Sequence, residues 1–156
     1  ALEKGPKVKV VPTVNVTVPE GLSIREAAPV VDKGPLKGSY RKAASERRVL
    51  RRTRGPGAPR GTDTAEGFMF PATYTLVDGS PARDLVSKQL NAFADNFKGV
   101  DMRYARRKNL TRYDVLIIAS MVEREAQLDR ERPLVAAVIY NRLKDGMTLG
   151  IDATIR

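Results

Sequence analysis

Two glutamates stand at the end of an otherwise apolar helical run, in the stretch IIASMVEREA at residues 117–126. Desolvating an ionised carboxylate costs several kcal/mol unless a partner compensates the charge, so a buried helix face normally excludes such residues. Glu123 and Glu125 therefore either point to water or take part in chemistry. A carboxyl group beside apolar side chains is favoured in its protonated form and can donate a proton near neutral pH. That is the task of a general acid in the cleavage of a glycosidic bond.

The composition removes most other catalytic groups from consideration. The chain has 156 residues and contains neither cysteine nor histidine. This excludes disulfides and thiolate metal sites, and it removes the commonest general base and zinc ligand. Catalysis would rest on carboxylates, lysines, hydroxyls or backbone groups, and no metal or other cofactor is expected.

The two glutamates lie on opposite flanks of the apolar face of their predicted helix. On a helical wheel that places Val115 at 0°, Glu123 lies about 80° to one side and Glu125 about 80° to the other. This spacing does not choose between them, and it leaves open that both are surface carboxylates paired with nearby arginines. The candidate partners are Arg124, Arg130 and Arg132. Two carboxylates on opposite flanks of a helix cannot easily both reach one glycosidic bond. A mechanism in which one carboxylate acts as both acid and base therefore fits the pattern better.

The first part of the chain has the pattern of a small α/β unit. Val14, Val16 and Val18 alternate with polar residues, which predicts a half-buried strand. Ser23 followed by Glu26 predicts a capping box that starts a short helix, and this helix is expected to end near Pro29.

Residues 37–60 form a strongly basic segment. It contains nine basic side chains against the single acid Glu46, and so holds +8 of the chain's net charge of +10. One basic helix is predicted over 39–54, followed by a Gly/Pro-rich linker. The arginines either form a solvated helix face or attract an anionic polymer or membrane surface. Nucleic acid is not expected as a partner, because Tyr40 is the segment's sole aromatic residue and the chain has no zinc-finger spacing or RNP-type motif.

The second part is predicted to be mainly helical. EGFMFPATYTL at 66–76 indicates a strand or extended loop that packs its rings, and Asp78-Gly79 indicates a turn before an amphipathic helix. The core stripe of that helix is predicted to be Leu85, Leu90, Phe93 and Phe97.

Two further helices are predicted to pack as a hairpin. Thr111 and Asp114 predict the capping box of the helix that carries Glu123. Pro133 lies in the first turn of the next helix, and Gly146 is its predicted stop. The residues predicted to face inward on this last helix are Leu134, Val135, Val138, Ile139 and Leu143.

These patterns predict an α+β fold of two parts. Residues 1–60 would form a small α/β subdomain with the basic helix and linker, and residues 61–156 a mainly helical domain. No stretch approaches the roughly 18 to 20 apolar residues of a membrane span, and none has the layout of a signal peptide.

Four blocks of the sequence, taken in order, resemble the YceG-like family of endolytic murein transglycosylases. The family's signature blocks are similar to EGFMFPATYTL at 66–76, LTRYDVLIIASMVEREA at 110–126 and ERPLVAAVIYNRLKDGMTLGIDAT at 131–154. Its LysM-like subdomain is similar to VNVTVPEGLSIREAA at 14–28. The resemblance implies a LysM-like subdomain at 1–60 and a catalytic domain at 61–156 that is incomplete at its C-terminus.

The resemblance implies a lytic transglycosylase that cleaves the glycan strands of peptidoglycan and leaves 1,6-anhydro-N-acetylmuramyl ends. The catalytic acid/base is the first glutamate of the family's matching block, which is Glu123 here. Under this hypothesis a substrate groove is lined by Glu66, Tyr74, Glu125, Tyr140, Asn141 and Asp152. The two tyrosines could equally be core aromatics, and Asn141 a polar residue at a helix end.

The resemblance also implies a location and partners. Family members are usually anchored to the cytoplasmic membrane, so we expect this protein at its extracytoplasmic face, with an anchor outside this chain. Peptidoglycan glycan strands are the expected partner, and the cell-wall synthesis machinery is a further one. Because the chain begins at Ala1 and stops within a patterned stretch, it is expected to be a fragment. The alternative function is a non-catalytic peptidoglycan- or glycan-binding module.

Overall fold

The computed structural model of the protein describes residues 11–54, 57–58 and 60–145. In chain order the elements are β1 (Thr13–Val18), α1 (Ile24–Asp32), α2 (Tyr40–Ala44), α3 (Arg47–Thr53), β2 (Ala72–Val77), α4 (Ala82–Lys98), α5 (Arg103–Arg107), α6 (Arg112–Glu125), a 3-10 turn (Asp129–Glu131) and α7 (Arg132–Lys144). The predicted α+β class is confirmed, because helices combine with a small two-stranded sheet. The likeness of the first part to LysM stays a prediction. Within the described ranges, no helix is long and apolar enough to cross a bilayer.

The two strands pair antiparallel over their whole length. Alternate side chains point into the core, as the period-2 pattern of the valines predicts. The buried members are Val16, Val18, Tyr74 and Leu76. The sheet joins the two predicted parts of the chain, since β1 lies within 1–60 and β2 within 61–156. The boundary at residue 60 itself stays a prediction.

Helix α1 begins at the predicted capping box. Ser23 Oγ accepts a hydrogen bond from the backbone N–H of Glu26 at 3.3 Å, and the Glu26 carboxylate accepts one from the N–H of Ser23 at 2.8 Å. The predicted end near Pro29 is wrong, because the helix continues to Asp32 with the proline inside it. Proline removes one helical hydrogen bond, but the last turn buries Val31 in the core, which favours the longer helix.

The basic segment folds into two short helices and not into the single helix predicted. Ser45 ends α2 and Glu46 begins α3. Both helices contact α4, and the break between them lets each turn its apolar side toward it. The buried side chains are Tyr40, Ala43, Ala44, Val49 and Thr53. The arginines of the two helices are exposed, and one of them, Arg52, donates hydrogen bonds to Ser87 and Asn91 of α4.

Helix α4 lies at the centre of the main core. The Asp78-Gly79 turn before it forms as predicted, and Gly79 has a φ of 70°, a conformation that glycine adopts without strain. Phe68 packs edge-on against Phe93, with ring centroids 5.3 Å apart, so the ring-bearing segment 66–76 packs directly on α4. The predicted stripe is confirmed in full, since these residues are buried or packed against the core: Leu85, Leu90, Phe93 and Phe97.

Helices α6 and α7 form the predicted hairpin, with a second, smaller apolar cluster between them. On α7, Ile139 is buried and Val135 packs at the edge of this cluster. The inward prediction is wrong for three other residues of α7, which are exposed: Leu134, Val138 and Leu143. A helix that packs mainly on one neighbour buries one strip of its surface, so apolar side chains outside that strip reach solvent. The helix ends at Lys144, and the predicted stop at Gly146 lies outside the described residues.

A buried polar contact ties α2 to α4. The Tyr40 hydroxyl donates to Oε1 of Gln89 at 2.9 Å, and Gln89 Nε2 donates to the carbonyl of Phe70 at 3.5 Å. Tyr40 and Gln89 are both almost completely buried. Burial raises the pKa of Tyr40 to about 12, so the fold favours the neutral phenol that donates this hydrogen bond.

We expect Tyr40→Phe to lower the free energy of unfolding by about 1 to 3 kcal/mol, because Gln89 then keeps a buried oxygen without its donor. Urea unfolding measures the change. Tyr104→Phe is the matched control, since it removes the hydroxyl of a half-exposed ring and should change stability by less than about 0.5 kcal/mol. Equal effects of the two substitutions would contradict a stabilising role for the buried contact.

The exposed arginines predict salt-dependent binding to an anionic surface. Arg47, Arg48 and Arg51 are exposed, whereas Arg52 hydrogen-bonds to α4 and is left unchanged. Replacing the first three by Gln should weaken co-sedimentation with vesicles that contain anionic lipid, and added salt should weaken wild-type binding. A variant with the same charge loss elsewhere serves as the control: Arg83→Gln, Lys88→Gln and Arg130→Gln. Binding that responds neither to the α3 substitutions nor to salt would show that this surface has no such role.

Candidate active site

The helix that carries Glu123 has a well-defined start. Thr111 Oγ1 accepts a hydrogen bond from the backbone N–H of Asp114 at 3.1 Å, and the Asp114 carboxylate accepts one from the N–H of Thr111 at 2.7 Å. The predicted capping box is therefore confirmed. It satisfies two of the free N–H groups at the helix start, and it fixes the position at which the following three turns begin.

The first turns of α6 pack on the main core. The ring of Tyr113 stacks on that of Phe68, with centroids 6.2 Å apart and planes 13° from parallel. The guanidinium of Arg112 lies 5.4 Å from the ring centroid of Phe97 and donates to its carbonyl oxygen at 3.4 Å. Leu116 also packs against the main core. These contacts hold the N-terminal half of the helix on α4 and on the segment before β2.

The C-terminal half of α6 packs on α7. Ile118, Met121 and Ile139 form the buried centre of the second cluster. Around it, partly buried apolar side chains complete the contact: Leu110, Ile117, Val122, Val135 and Tyr140. Because this cluster is small, the spacing between the two helices rests on few side chains.

A surface cavity of about 380 Å³ lies between α6 and α7. Helix α6 contributes an apolar wall and one carboxylate to its lining. Helix α7 contributes a cation, a methyl group and an aromatic ring. The lining residues are Val115, Ile118, Ala119, Val122, Glu123, Arg132, Ala136 and Tyr140. The structure thus separates the two glutamates that the helical pattern left equivalent, because Glu123 lines this cavity and Glu125 does not.

The carboxylate of Glu123 forms an ion pair across the cavity. Arg132 Nη2 lies 3.3 Å from Glu123 Oε2, and the two side chains are 49% and 50% exposed. The same nitrogen lies 3.4 Å from Asp129 Oδ1. Of the three arginines considered as partners from the sequence, Arg132 is therefore the one in contact. Ion pairs this exposed are weak, so the pair orients Glu123 without removing it from solvent.

Tyr140 shares the cavity with Glu123. It is half-buried, and its ring meets that of Tyr104 edge to face, with centroids 5.7 Å apart. Tyr104 comes from α5 and is 49% exposed, and its ring lies 5.7 Å from both the Arg107 guanidinium carbon and Lys108 Nζ. Aromatic residues therefore continue from the cavity onto the neighbouring surface of α5.

The other predicted site residues lie outside this cavity. Glu125, the last residue of α6, is exposed, and Asn141 is exposed on α7. The Glu66 carboxylate accepts a hydrogen bond from the N–H of Ile24 at 2.9 Å, at the start of α1. Tyr74 is buried in the main core, where its hydroxyl donates to the carbonyl of Phe70 at 2.7 Å and burial raises its pKa. Asp152 lies outside the described residues.

These placements give Glu66 and Tyr74 contacts within the fold, and their predicted roles in substrate binding stay predictions. Arg132 was one of the three arginines that the sequence offered as partners, whereas the contact of Tyr104 with Tyr140 beside the cavity was not predicted. Arg132 is the first residue of α7, and the ERP stretch that contains it marks a helix start but not its distance from Glu123. No group of three or more acidic side chains that could hold a metal ion occurs in the described part of the chain.

The protein combines a mixed α/β fold with a groove between two packed helices. Glu123 lines this groove, in a chain that has no histidine or cysteine. The chain belongs to the YceG-like family, whose sequence profile matches residues 1–156. The resemblance of the sequence blocks to this family is thereby confirmed.

Relatives named as endolytic murein transglycosylases match more than half of this chain but a small part of their own length. An endolytic murein transglycosylase of Streptococcus pneumoniae (strain ATCC BAA-255 / R6) is 30% identical over 161 residues, which cover 90% of this chain and 28% of that protein. One of Bacillus subtilis (strain 168) is 33% identical over 94 residues, which cover 58% of this chain and 25% of that protein. The chain therefore spans about a quarter of the length of these relatives.

The fold has a counterpart among solved structures. The 2.6 Å crystal structure of a yceG-like protein from Listeria monocytogenes superposes with a TM-score of 0.68 at 21% identity. The match covers 90% of this chain and 49% of that one. At this level of identity the match supports the arrangement of helices and strands alone.

We expect Ile139→Ala to destabilise the α6–α7 hairpin by about 2 to 5 kcal/mol, because it opens a cavity at the centre of a small cluster. Hydrogen exchange of the α6 amides measures this locally, and exchange should accelerate in the C-terminal half of the helix. Leu134→Ala on the same helix is the control, because its side chain is 69% exposed. Similar acceleration in both variants would mean that the cluster does not hold the two helices together.

Proposed function

We propose that this chain is the part of an endolytic murein transglycosylase that carries the catalytic acid/base, and that Glu123 is this residue. The family and the activity for which the relatives are named support the reaction class. The observation that carries the assignment is the position of Glu123, which is the one carboxylate among the described residues that line the cavity between α6 and α7.

The proposed reaction needs only one carboxyl group. The protonated Glu123 donates its proton to the glycosidic oxygen that follows an N-acetylmuramyl residue, and the bond from that sugar's C1 to this oxygen breaks. The resulting carboxylate then accepts the proton of the 6-hydroxyl of the same sugar, whose oxygen bonds to C1. The product end is a 1,6-anhydro-N-acetylmuramyl group, Glu123 is protonated again, and no water is consumed.

The surroundings of Glu123 suit this cycle. The apolar wall formed by Val115, Ala119 and Val122 would exclude water from one side of a bound glycan strand, which favours attack by the internal hydroxyl over hydrolysis. Tyr140, on the opposite side, offers a ring face and a hydroxyl to a sugar. Glycan strands of peptidoglycan are accordingly the proposed substrate, with the protein at the extracytoplasmic face of the cytoplasmic membrane.

In the full-length protein, Glu123→Gln should abolish anhydro-muropeptide formation and leave the melting temperature nearly unchanged, because a half-exposed carboxylate contributes little to stability. Mass spectrometry of muropeptides after incubation with purified peptidoglycan measures the product. Glu125→Gln is the matched control, because it makes the same change two residues away on the same helix and outside the cavity.

The assignment fails if Glu123→Gln retains turnover while Glu125→Gln loses it. A wild-type protein that co-sediments with peptidoglycan but forms no anhydro ends would favour the alternative, a non-catalytic glycan-binding module.

A further inference from the structure

The surface beside the cavity that holds Glu123 combines an aromatic ring with two cations. The ring of Tyr104 is 49% exposed and meets that of Tyr140, which lines the cavity, with centroids 5.7 Å apart. The Arg107 guanidinium carbon and Lys108 Nζ each lie 5.7 Å from the centroid of the Tyr104 ring. Tyr104, Arg107 and Lys108 together form the α5 patch. Its ring connects the lining of the cavity to two positive charges.

The turn after α5 holds the α5 patch in place. The backbone N–H of Leu110 donates to the carbonyl of Ala105 at 3.0 Å, and the N–H of Asn109 donates to the carbonyl of Arg106 at 3.1 Å. With Asn109 in the left-handed region at a φ of 55°, these two bonds form a Schellman motif, which closes the end of a helix. Leu110 then packs in the cluster between α6 and α7. The patch is thus attached to the two helices that form the cavity.

The two cations of the α5 patch are open to an anionic ligand. Arg107 and Lys108 are exposed, and neither forms an ion pair with another residue that the structure describes. Asp101, the acid that precedes α5, pairs instead with Arg103 at 2.7 Å. Two adjacent cations attract a ligand that presents carboxylates, and the exposed ring beside them favours one that also has apolar groups.

The proposed substrate has this chemistry. Each muramyl sugar of a newly made peptidoglycan strand carries a short stem peptide on its lactyl group, and this peptide combines alanine methyl groups with free carboxylates. Carboxylates form charge-assisted hydrogen bonds with arginine and lysine side chains. The N-acetylated sugars of the strand are uncharged, so they bring no charge to neutralise the two cations. The peptide is therefore the part of the substrate that matches the α5 patch.

We propose that the α5 patch is a subsite for the stem peptide of a muramyl sugar, in which Arg107 and Lys108 bind the peptide carboxylates and Tyr104 contacts its methyl groups. This inference rests on the proposed function, because it concerns the same substrate. The patch adds affinity for strands that still carry their peptides. Because it lies beside the cavity and not at the reacting bond, it binds substrate and transition state equally and acts on KM.

The test compares two substrates in assays of anhydro-end formation by the full-length protein. One is uncross-linked glycan strands with their stem peptides, and the other is the same strands after an amidase has removed the peptides. In the double variant Arg107→Gln with Lys108→Gln, KM for peptide-bearing strands should rise about 2- to 10-fold with kcat nearly unchanged, because two exposed ion pairs are lost. KM for the stripped strands should stay at the wild-type value.

Two further double variants separate this role from effects of structure and of net charge. Arg107→Lys with Lys108→Arg keeps both charges and should hold KM for peptide-bearing strands within about twofold of wild type. Arg83→Gln with Lys88→Gln removes the same two types of charge from exposed positions on α4, outside the cavity lining, and should leave both KM values unchanged. A general effect of net charge would raise KM in the α4 variant as well.

The subsite is refuted if the Arg107→Gln and Lys108→Gln variant raises KM equally for both substrates, changes KM for neither, or lowers kcat at unchanged KM. Each of these results leaves the proposed function intact, as long as the wild-type protein forms anhydro ends and Glu123→Gln does not. Absence of anhydro ends with the wild-type protein would refute the proposed function, and the subsite would be refuted with it.

Discussion

The candidate site depends on the packing of one helix, α6, against two separate apolar clusters. Its first turns lie on the main core through the stacked rings of Tyr113 and Phe68, and its last turns lie on α7 through Ile118 and Met121. The capping box at Thr111 fixes where the helix starts. Glu123 is the twelfth residue of α6, so its direction follows from the rotation that these two contacts impose. A shift in either contact would turn the carboxylate away from the cavity.

The elements that could be predicted from the sequence are those whose signals are local. Capping boxes at Ser23 and Thr111, the alternating valines of β1 and the stripe of α4 each depend on residues within a few positions of one another. The predictions were wrong where contacts between residues far apart in the sequence determine the structure. Burial of Val31 carries α1 past Pro29, and contact with α4 divides the basic segment. On α7 the apolar residues surround the helix, and the sequence contains no signal for which strip meets α6.

The same distinction applies to the site. A helical wheel places Glu123 and Glu125 symmetrically, and only the position of α7 shows that one of them lines a cavity. Family resemblance selected Glu123 without using that geometry, so the two lines of evidence are separate. The sequence offered Arg132 as one of three possible partners but did not select it over Arg124 and Arg130, because Arg132 and Glu123 lie on different helices joined by a turn. For Glu66 and Tyr74, the contacts in the structure are with the backbone of Ile24 and Phe70, which sequence spacing does not reveal.

A single acid/base in a chain without histidine must change its charge twice in each cycle, and this limits how strongly its surroundings can hold it. A fully buried pair with Arg132 would hold the carboxylate ionised, because breaking such a pair costs several kcal/mol. An isolated glutamate in an apolar pocket would hold the proton and serve poorly as a base. The observed contact lies between these limits, since it is half-exposed and divided between two acids. Pairs of this kind contribute about 0 to 1 kcal/mol, so the contact with Arg132 orients the carboxylate of Glu123 and leaves it open to solvent and to whatever enters the cavity.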